Sequence, residues 1–423
     1  MKEFLEFLNE SPTAFQATEN IVKHLKENGY IEYKESTNVK LEVGKKYYVT
    51  RNQTSVIAFN MPKAVKNPSF NIVASHCDAP CYKVKPNNML IDKNYVRLNT
   101  EGYGGMIKAS WLDKPLSVAG RVIVKNEKGI TSKLINIKEP FMVIPSVAIH
   151  LDRTRDKALN QQVDMMPLLS NNLKFDFNNK LAKELKVKKE NIISYDLYVY
   201  PCDKAFLWDE YVSSYHLDNL QCAYASLVAF TNTFMKDNIN VYVCFDNEEV
   251  GSKTRQGAAS RFLYDVLDEI SKQLKFDLNT ALASSLLVSA DNAHAIHPNH
   301  PELADATNAP KINQGIVIKF NANQSYTSDA LSAALFVKIL DNAKVLYQTY
   351  TNRSDMPGGG TLGYVSSSQV SILSVDIGNA QLSMHSTLET AGIKDIEFMI
   401  QGLKEFYLSK ITKVDESNYT ISK

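Results

Sequence analysis

The most constraining feature of this 423-residue sequence is a set of short apolar segments that run directly into side chains able to bind a metal. FNIVAS is followed by His76 and Asp78, NVYVCF by a run containing Glu248 and Glu249, and SLLVSA by Asp291. Continuous apolar segments of this kind are typical of strands buried on both faces of an α/β sheet. Since an open α/β sheet binds its ligands beyond the carboxyl ends of its strands, we expect these side chains to converge on one crevice.

The remaining apolar pattern predicts the same architecture. Apolar residues recur at helical spacing over residues 12–29 and 217–234, and further helices near residues 258–274, 329–346 and 393–408 alternate with the strand-like segments GIVIKF and SILSVDIG. Between about residues 82 and 201 the pattern changes to short alternating stretches such as VAGRVIVKN and SYDLYVYP, which is typical of β structure.

The sequence therefore predicts an α/β fold with a central, mostly parallel or mixed sheet covered by helices on both faces and interrupted by a β-rich insert. We expect residues 1–81 and 206–423 to form the α/β domain and residues 82–205 to form the inserted domain.

Composition narrows the class of protein. The 47 Lys and Arg residues nearly balance the 46 Asp and Glu residues, so no global field attracts a polyanion, and we expect no nucleic-acid partner. Glu3 and Glu6 interrupt the apolar N-terminus, unlike a signal peptide, and no segment reaches the roughly 18 apolar residues of a membrane span. Five cysteines, an odd number, indicate a reducing compartment. We therefore expect a cytoplasmic protein without a membrane partner.

The polar side chains after the predicted strands form a chemically coherent set. Imidazole and carboxylate groups without thiolates suit zinc, manganese or cobalt in a catalytic site, and His385 follows the strand SILSVDIG as a further candidate. Two metals about 3.5 to 4 Å apart need a bridging carboxylate, a role that Asp218 could fill. Adjacent glutamates on an extended segment point in different directions, so one of Glu248 and Glu249 could bind metal while the other accepts a proton.

Each of these residues also has a purely structural explanation. A single histidine after a strand is more often a hydrogen-bonded loop residue than a ligand. Asp218 could simply cap a helix, and Glu248 and Glu249 could be solvated loop charges. What these explanations do not cover is the presence of two adjacent glutamates at the end of a buried strand, in a chain that offers His and Asp after the neighbouring strands.

Two cysteines do not form a metal site by themselves. Cys77 and Cys81 make a single CxxxC motif, whereas a structural zinc site needs four ligands. The chain also lacks an HExxH helix, a GxSxG elbow and a GxxxxGK loop, which excludes the enzyme classes that those motifs define.

A histidine run and a glycine run favour roles at the substrate. Prolines within HAIHPNHP break any helix that would align His294, His297 and His300, so supporting or substrate-pocket roles are expected, with His297 as a substrate-binding candidate. The glycines at residues 358–360 are either a simple turn or a source of backbone N–H groups for a substrate, with Gly359 as the candidate.

Five segments of the chain resemble, in the same order, motifs of the aspartyl aminopeptidase family of dinuclear zinc aminopeptidases: HCDAP, HLDNL, DNEEVGSKTRQGA, SADNAHAIHPNH and LSMHSTLE. The resemblance covers essentially the whole chain, including the position of the insert. It implies two zinc ions, with cobalt or manganese as substitutes. One ion would be bound by His76, Asp218 and Asp291, and the other by Asp218, Glu249 and His385.

The same resemblance implies roles for other residues. Glu248 would be the general base that moves a proton from a zinc-activated water to the leaving amine, and Asp78 would orient the ring of His76. His150, in SVAIHLDR, resembles a family histidine that enters the active site from a partner subunit and stabilises the developing oxyanion. Lys319, in IKFNANQSY, resembles a lysine that suits an acidic first side chain; a solvated charge at a strand end is the alternative.

The predicted function is a metal-dependent aminopeptidase that releases single N-terminal residues from peptides, with Asp or Glu as the expected preference. Ser325, His216 and the segment MPGGGTLG depart from the family's pocket residues, so a broad specificity for neutral residues stays open. The resemblance also implies a homo-oligomer, a dimer-based dodecamer, in which the insert contributes to assembly and active-site access.

Two other kinds of protein are weighed against this function. A carboxypeptidase or deacylase could share the two-metal core, but no arginine is convincingly placed to anchor a substrate carboxylate. A catalytically silent oligomeric scaffold is the other alternative, which loss of Glu248 or of a metal ligand would have supported.

Overall fold

The computed structural model describes residues 1–37, 40–63, 67–153, 158–234 and 238–423. Its helices are α1 (Lys2–Asn9), α2 (Ala14–Glu27), α3 (Phe177–Leu185), α4 (Leu217–Thr231), α5 (Phe262–Leu274), α6 (Leu278–Ala283), α7 (Ala330–Ala343), α8 (Leu362–Ser367) and α9 (Ile393–Leu408). The strands of the first half of the chain are β1 (Ile31–Glu32), β2 (Lys46–Arg51), β3 (Ser55–Asn60), β4 (Phe70–His76), β5 (Cys81–Ile91), β6 (Val96–Tyr103), β7 (Leu116–Asn126), β8 (Gly129–Asn136), β9 (Leu168–Ser170) and β10 (Ile192–Pro201). The strands of the second half are β11 (Phe206–Trp208), β12 (Tyr211–Ser214), β13 (Ile239–Phe245), β14 (Leu286–Ala290), β15 (Ala293–His294), β16 (Ile316–Lys319), β17 (Tyr347–Tyr350), β18 (Leu373–Gly378), β19 (Ala380–Leu382), β20 (Glu389–Gly392), β21 (Lys410–Lys413) and β22 (Tyr419–Ser422).

The central sheet has the strand order β1-β2-β3-β13-β4-β14-β18-β16-β17. Strands β13, β4, β14 and β18 run parallel, whereas β3 pairs antiparallel with β13, and β16 pairs antiparallel with β18. The sheet is therefore mixed with a parallel middle, and its central strands are buried along their whole length because both faces are covered.

Helices cover the two faces of the central sheet. Helices α2, α4, α7 and α9 pack on one face in a core that includes Leu220, Phe336 and Met399. Helices α5, α6 and α8 pack on the other face, where Phe262 and Leu362 meet the side chains of alternate strand residues. The predicted fold class is confirmed by this arrangement.

A second sheet, with the strand order β8-β7-β10-β5-β6-β9, is built from strands within residues 81–201. Its strands pair antiparallel and enclose a separate core around Tyr82, Trp111 and Phe177. Helix α3 packs into this core, although the sequence pattern indicated mostly β structure there. The carboxylate of Asp176 caps α3 by accepting the N–H of Asn179 at 3.1 Å.

A third sheet, with the order β11-β12-β20-β19-β15, lies next to the carboxyl edge of the central sheet, and the connection between β19 and β20 carries His385. Some predicted helices are shorter than expected: α4 ends at Thr231 and α5 begins at Phe262, and α7 ends at Ala343 because Lys344 adopts a left-handed conformation with φ of 55°. Within the described residues, no helix combines the length and apolar character needed to cross a membrane.

Candidate metal centre and substrate cleft

The strand ends of the central sheet bring the predicted ligand residues together. Strands β4 and β13 are parallel neighbours in which His76 pairs with Phe245, so the segments that follow both strands leave the sheet at the same level. Asp291 follows β14 on the other side of β4. His76, Asp218 and Asp291 are each less than a tenth exposed, so any charge that they carry lies away from bulk water.

Two groups of side chains meet at Asp218. In the first, Nε2 of His76 lies 3.5 Å from Oδ1 of Asp291 and 3.8 Å from Oδ1 of Asp218. In the second, Nε2 of His385 lies 3.2 Å from Oδ2 of Asp218 and 3.4 Å from Oε2 of Glu249. The ligand atoms of each group lie within 4.8 Å of one another. Asp218 thus presents one carboxylate oxygen to each group, as a bridging ligand must.

The donor set fits zinc. Oδ1 of Asp218 and Oε1 of Glu249 are buried and have no hydrogen-bond partner in the described part of the chain, which is costly for carboxylate oxygens unless a cation satisfies them. Burial, followed by the nearby carboxylate of Asp218, raises the pKa of Glu249 well above its ordinary value. Imidazole nitrogens and carboxylate oxygens in groups of three are the ligands of catalytic zinc sites.

Both histidine rings are oriented by acceptors at their other nitrogen. Nδ1 of His76 lies 3.1 Å from the carbonyl oxygen of Asp78 and 3.4 Å from its Oδ1. Nδ1 of His385 lies 2.7 Å from the carbonyl oxygen of Gly105. Because an acceptor at Nδ1 favours a proton on that nitrogen, Nε2 is the nitrogen of each ring that faces the carboxylates.

Asp78 holds the glutamate segment in place. Its carboxylate accepts the backbone N–H groups of Glu248 and Glu249, both at 3.1 Å, and the hydroxyl of Tyr103 at 2.7 Å. Tyr103 ends β6 of the second sheet and in turn accepts an N–H of Asn247 at 2.8 Å. Burial opposes ionisation of Asp78, but these hydrogen bonds and the contact with His76 lower its pKa.

The expectation of an extended segment at the two glutamates is wrong. Glu248–Val250 form a 3₁₀ turn, entered through Asn247 with φ of 64° and left through Gly251 with φ of 91°. The turn allows successive N–H groups to face one carboxylate, that of Asp78. Both glutamates line the open cleft. Glu249 also belongs to the second group, while Glu248 forms a third group of close ligand atoms with His76 and Glu249.

Glu248 is poised to exchange a proton. Burial, together with the neighbouring carboxylates, raises the pKa of Glu248 to about 8 even though His76 opposes the shift. A carboxylate whose pKa lies near neutrality is suited to both accepting and returning a proton.

Glu389 is a residue of the site that the sequence did not predict. Its Oε2 accepts the N–H of Asp218 at 2.8 Å and its Oε1 accepts the N–H of His385 at 2.7 Å, so one buried carboxylate joins two ligand segments. Burial raises the pKa of Glu389 to about 8. The only available signal was its position four residues after His385, in a segment where a glutamate by itself predicts nothing.

The cleft beside the two groups has a volume of about 420 Å³ and is lined by Lys319, Tyr326, Gly359 and Thr361. Lys319 is only 2% exposed, which excludes a solvated charge at a strand end. Its Nζ donates to the carbonyl oxygens of Asp291 at 2.8 Å and Asn292 at 3.2 Å, and lies 5.1 Å from the ring centroid of Tyr326.

Two other candidates lie apart from the two groups. His297 is exposed and lines an adjoining cavity of about 310 Å³, which shares His294 and Gly359 with the cleft. His150 lies on an exposed turn and is not among the residues that line the cleft of its own chain.

Cys77 and Cys81 are buried and free, and neither belongs to a metal-type group in the described ranges. The thiol of Cys77 donates to the carbonyl oxygen of Thr54 at 3.2 Å.

Comparisons of the sequence and of the structure with known proteins indicate the same protein family. Residues 7–407 match the family model described as aminopeptidase I zinc metalloprotease (M18). The chain is 44% identical over 422 residues to the probable M18 family aminopeptidase 2 of Clostridium novyi (strain NT), covering 96% of this chain and 98% of that protein. It is 33% identical over 464 residues to the probable aspartyl aminopeptidase of Ricinus communis, covering 96% and 94%.

Solved structures show the same fold. The cryo-EM structure of the Ape4 and Nbr1 complex contains a chain that superposes with a TM-score of 0.92 at 34% identity, covering 96% of this chain and 85% of that one. The S. cerevisiae mApe1 dodecamer superposes with a TM-score of 0.84 at 26% identity, covering 96% and 95%. Since the family model matches residues 7–407 and a relative is 44% identical over 96% of the chain, the chain belongs to the aminopeptidase I zinc metalloprotease (M18) family.

Proposed function

We propose that this zinc aminopeptidase binds two zinc ions per subunit and releases single residues from the N-terminus of peptides, with a preference for Asp or Glu. The observation that carries the two-ion site is the position of Asp218, whose two carboxylate oxygens face separate groups of ligands. His76 and Asp291 complete the first group, and Glu249 and His385 complete the second. Cobalt or manganese, which accept the same ligands, would substitute for zinc.

When bound, zinc supplies Lewis-acid activation of a water and neutralises the charge that develops on the scissile carbonyl. Glu248 takes a proton from the attacking water and delivers it to the leaving amine, because it lines the open cleft beside the ligands. Asp78 keeps Glu248 in place through the backbone and fixes the tautomer of His76.

Lys319 is the residue proposed to cause the preference for acidic first residues of the substrate. Its ammonium has three N–H groups, and two of them donate to backbone carbonyls, which leaves one for the side-chain carboxylate of a substrate. Asp291 is the nearest charge, with its Oδ2 3.9 Å from Nζ. Asp291 therefore partly neutralises the positive charge of Lys319. A weaker positive charge in the cleft supports the alternative function, a broad specificity for neutral first residues.

His297 and Gly359 have proposed roles further out in the cleft. Gly359 has space for an approaching backbone, since a Cβ built on it would meet nothing within 4 Å. His297 lines the adjoining cavity and would contact substrate residues beyond the scissile bond.

We also propose a homo-oligomer, a dimer-based dodecamer, assembled through the inserted domain of residues 82–205, with residues 1–81 and 206–423 as the catalytic domain. His150 lies on an exposed turn between Val147 and Leu151, which are 63% and 83% exposed, and these apolar side chains are expected to be covered by a partner. In this arrangement His150 enters the partner's cleft to stabilise the oxyanion. The five free cysteines support a cytoplasmic location.

The test is hydrolysis of unblocked dipeptides, with first residues from acidic to aliphatic, by chelated protein to which zinc, cobalt or manganese is returned. We expect metal-restored release of Asp or Glu, with N-acetylated dipeptides as uncleaved controls. Release of neutral residues would support the alternative specificity. No release from any unblocked peptide would overturn the enzymatic function in favour of a silent scaffold.

A further inference from the structure

Two loops form the outer wall of the cleft beside Lys319. The first, residues 320–329, follows β16 and contributes Tyr326. The second, residues 351–361, follows β17 and contributes Gly359 and Thr361. Neither loop is part of the central sheet. The distance between the loops therefore depends on side-chain and backbone contacts made by the loop residues themselves.

A single carboxylate joins these two loops. Asp376 lies in the middle of β18 and is fully buried, at 0% exposure. Its Oδ2 accepts the N–H of Thr327 at 2.6 Å and the hydroxyl of the same residue at 2.7 Å. Its Oδ1 accepts the hydroxyl of Thr361 at 2.6 Å. Each oxygen of Asp376 therefore holds one loop.

The support beneath Asp376 is rigid. Strand β18 is hydrogen-bonded between β14 and β16, and the N–H of Asp376 donates to the hydroxyl of Ser328 at 2.9 Å. A Cβ at Gly363 would lie 2.8 Å from Oδ1 of Asp376, so the glycine permits the first turn of α8, which follows the second loop, to approach this closely. Hydrogen bonds to an ionised acceptor are shorter and stronger than neutral ones, so a carboxylate at this position is suited to holding both loops.

No lysine, arginine or histidine in the described ranges forms an ion pair with Asp376. The carboxylate thus has no partner that would explain it as half of a structural salt bridge. Its partners are the two loops of the substrate cleft.

We propose that Asp376 is a positioning residue for substrate specificity, which sets the width of the pocket for the first side chain by fixing the loops of Tyr326 and Thr361 relative to each other. The proposal rests on the proposed aminopeptidase function. Asp376 itself is not among the residues that line the cleft, so its effect on substrate acts through Thr327 and Thr361.

The test compares Asp376→Asn with the wild-type oligomer. The amide keeps one acceptor oxygen for the N–H of Thr327, and its N–H groups face the Thr361 hydroxyl, which can accept. The bonds to an ionised carboxylate are thus replaced by weaker neutral ones, so the two loops are held less firmly. We expect KM for the preferred dipeptide to rise about tenfold, with kcat within about twofold, and the ratio of kcat/KM between acidic and neutral first residues to change about fivefold. Zinc content should stay at the wild-type value, because no proposed metal ligand is touched.

A second pair of variants keeps the test decisive if Asp376→Asn fails to fold. Thr327→Val removes only the hydroxyl that donates to Oδ2, at a residue that does not line the cleft, and should change the selectivity ratio in the same direction. Thr327→Ser retains that hydroxyl and should restore the wild-type ratio. Thr231→Val is the matched control, since it removes a buried hydroxyl that donates to the carbonyl oxygen of Leu227 at 2.9 Å in α4, and it should leave the ratio unchanged.

An equal loss of kcat for every first residue with no change in selectivity would overturn the proposal, as would a selectivity change in Thr231→Val of the same size. If the wild-type protein cleaves normally and both Asp376→Asn and Thr327→Val keep its selectivity, only the role of Asp376 is wrong. If the wild-type protein cleaves no dipeptide with any metal, both the proposed function and the proposed role of Asp376 are wrong.

Discussion

The central sheet and the second sheet contribute to the site in different ways. The central sheet places His76 and Asp291 directly after parallel strands, where the carboxyl ends of neighbouring strands meet at one edge. The second sheet is antiparallel, so its strand ends alternate and gather no such set. The second sheet instead contributes supporting contacts at the end of β6. The hydroxyl of Tyr103 donates to the carboxylate of Asp78, and the carbonyl oxygen of Gly105 faces Nδ1 of His385.

This difference shows how an inserted sheet can influence chemistry without supplying ligands. Residues 103–110 also hold the segment around His385. The N–H of Ile107 donates to the carbonyl oxygen of His385 at 3.0 Å, and the hydroxyl of Thr387 donates to the carbonyl oxygen of Ser110 at 2.7 Å. The central sheet therefore places several of the ligand-type groups, and the second sheet determines how firmly some of these groups are held. Four substitutions separate these contributions.

Glu248→Gln tests the central sheet's part and should have the largest effect. The amide fits the same space but cannot accept a proton, so we expect kcat to fall about a thousandfold while zinc content is retained. Turnover assays combined with metal analysis check both values. A loss of less than about tenfold would contradict the role of Glu248 as general base.

His150→Ala tests the part of the insert that is proposed to act on a partner. Loss of one oxyanion donor should lower kcat about a hundredfold without changing zinc content. Mixed oligomers of His150→Ala and Glu248→Gln subunits should regain activity, because an intact Glu248 then meets an intact His150 from its partner. If mixing restores nothing, His150 does not act across subunits.

Lys319→Met tests the wall of the cleft built by β16. Removing the ammonium should lower kcat/KM about thirtyfold for acidic first residues and leave neutral ones near the wild-type value, because only a substrate carboxylate would use the free N–H. Equal losses for both classes of dipeptide would make Lys319 a structural residue that only supports the segment after Asp291.

Tyr103→Phe tests the support that the second sheet gives to Asp78, and its effect should be the smallest. Loss of the hydroxyl should weaken zinc affinity about tenfold, measured by competition with a chelator, since groups behind the ligands typically have effects of this size. Tyr195→Phe is the matched control in the same sheet, because its hydroxyl bonds the carbonyls of Lys85 and Pro86, within β5. The same loss in both variants would mean that the second sheet contributes stability alone.

Local patterns were sufficient for much of this molecule. The apolar segments that became β4, β13 and β14 and the helix α9 were predicted from periodicity, which depends only on neighbouring residues and on burial. The fold class was predicted for the same reason. The family was predicted from the resemblance of five local motifs, in which ligand-type residues stand next to their strands. Helix α3 was not predicted, because the sequence around it has the alternating pattern that is typical of strands.

The sequence by itself therefore determined which side chains stand at the ends of the central strands. Only the tertiary structure decided that Glu248 and Glu249 lie in a 3₁₀ turn and that Lys319 is buried. The partners of Asp78, His385 and Asp376 also come from other parts of the chain: Tyr103 from β6, Gly105 from the segment after β6, and Thr327 with Thr361 from two loops. These contacts are selected by packing between whole layers, and no local periodicity records them because the hydrogen-bonding groups are brought together only when the sheets and loops assemble.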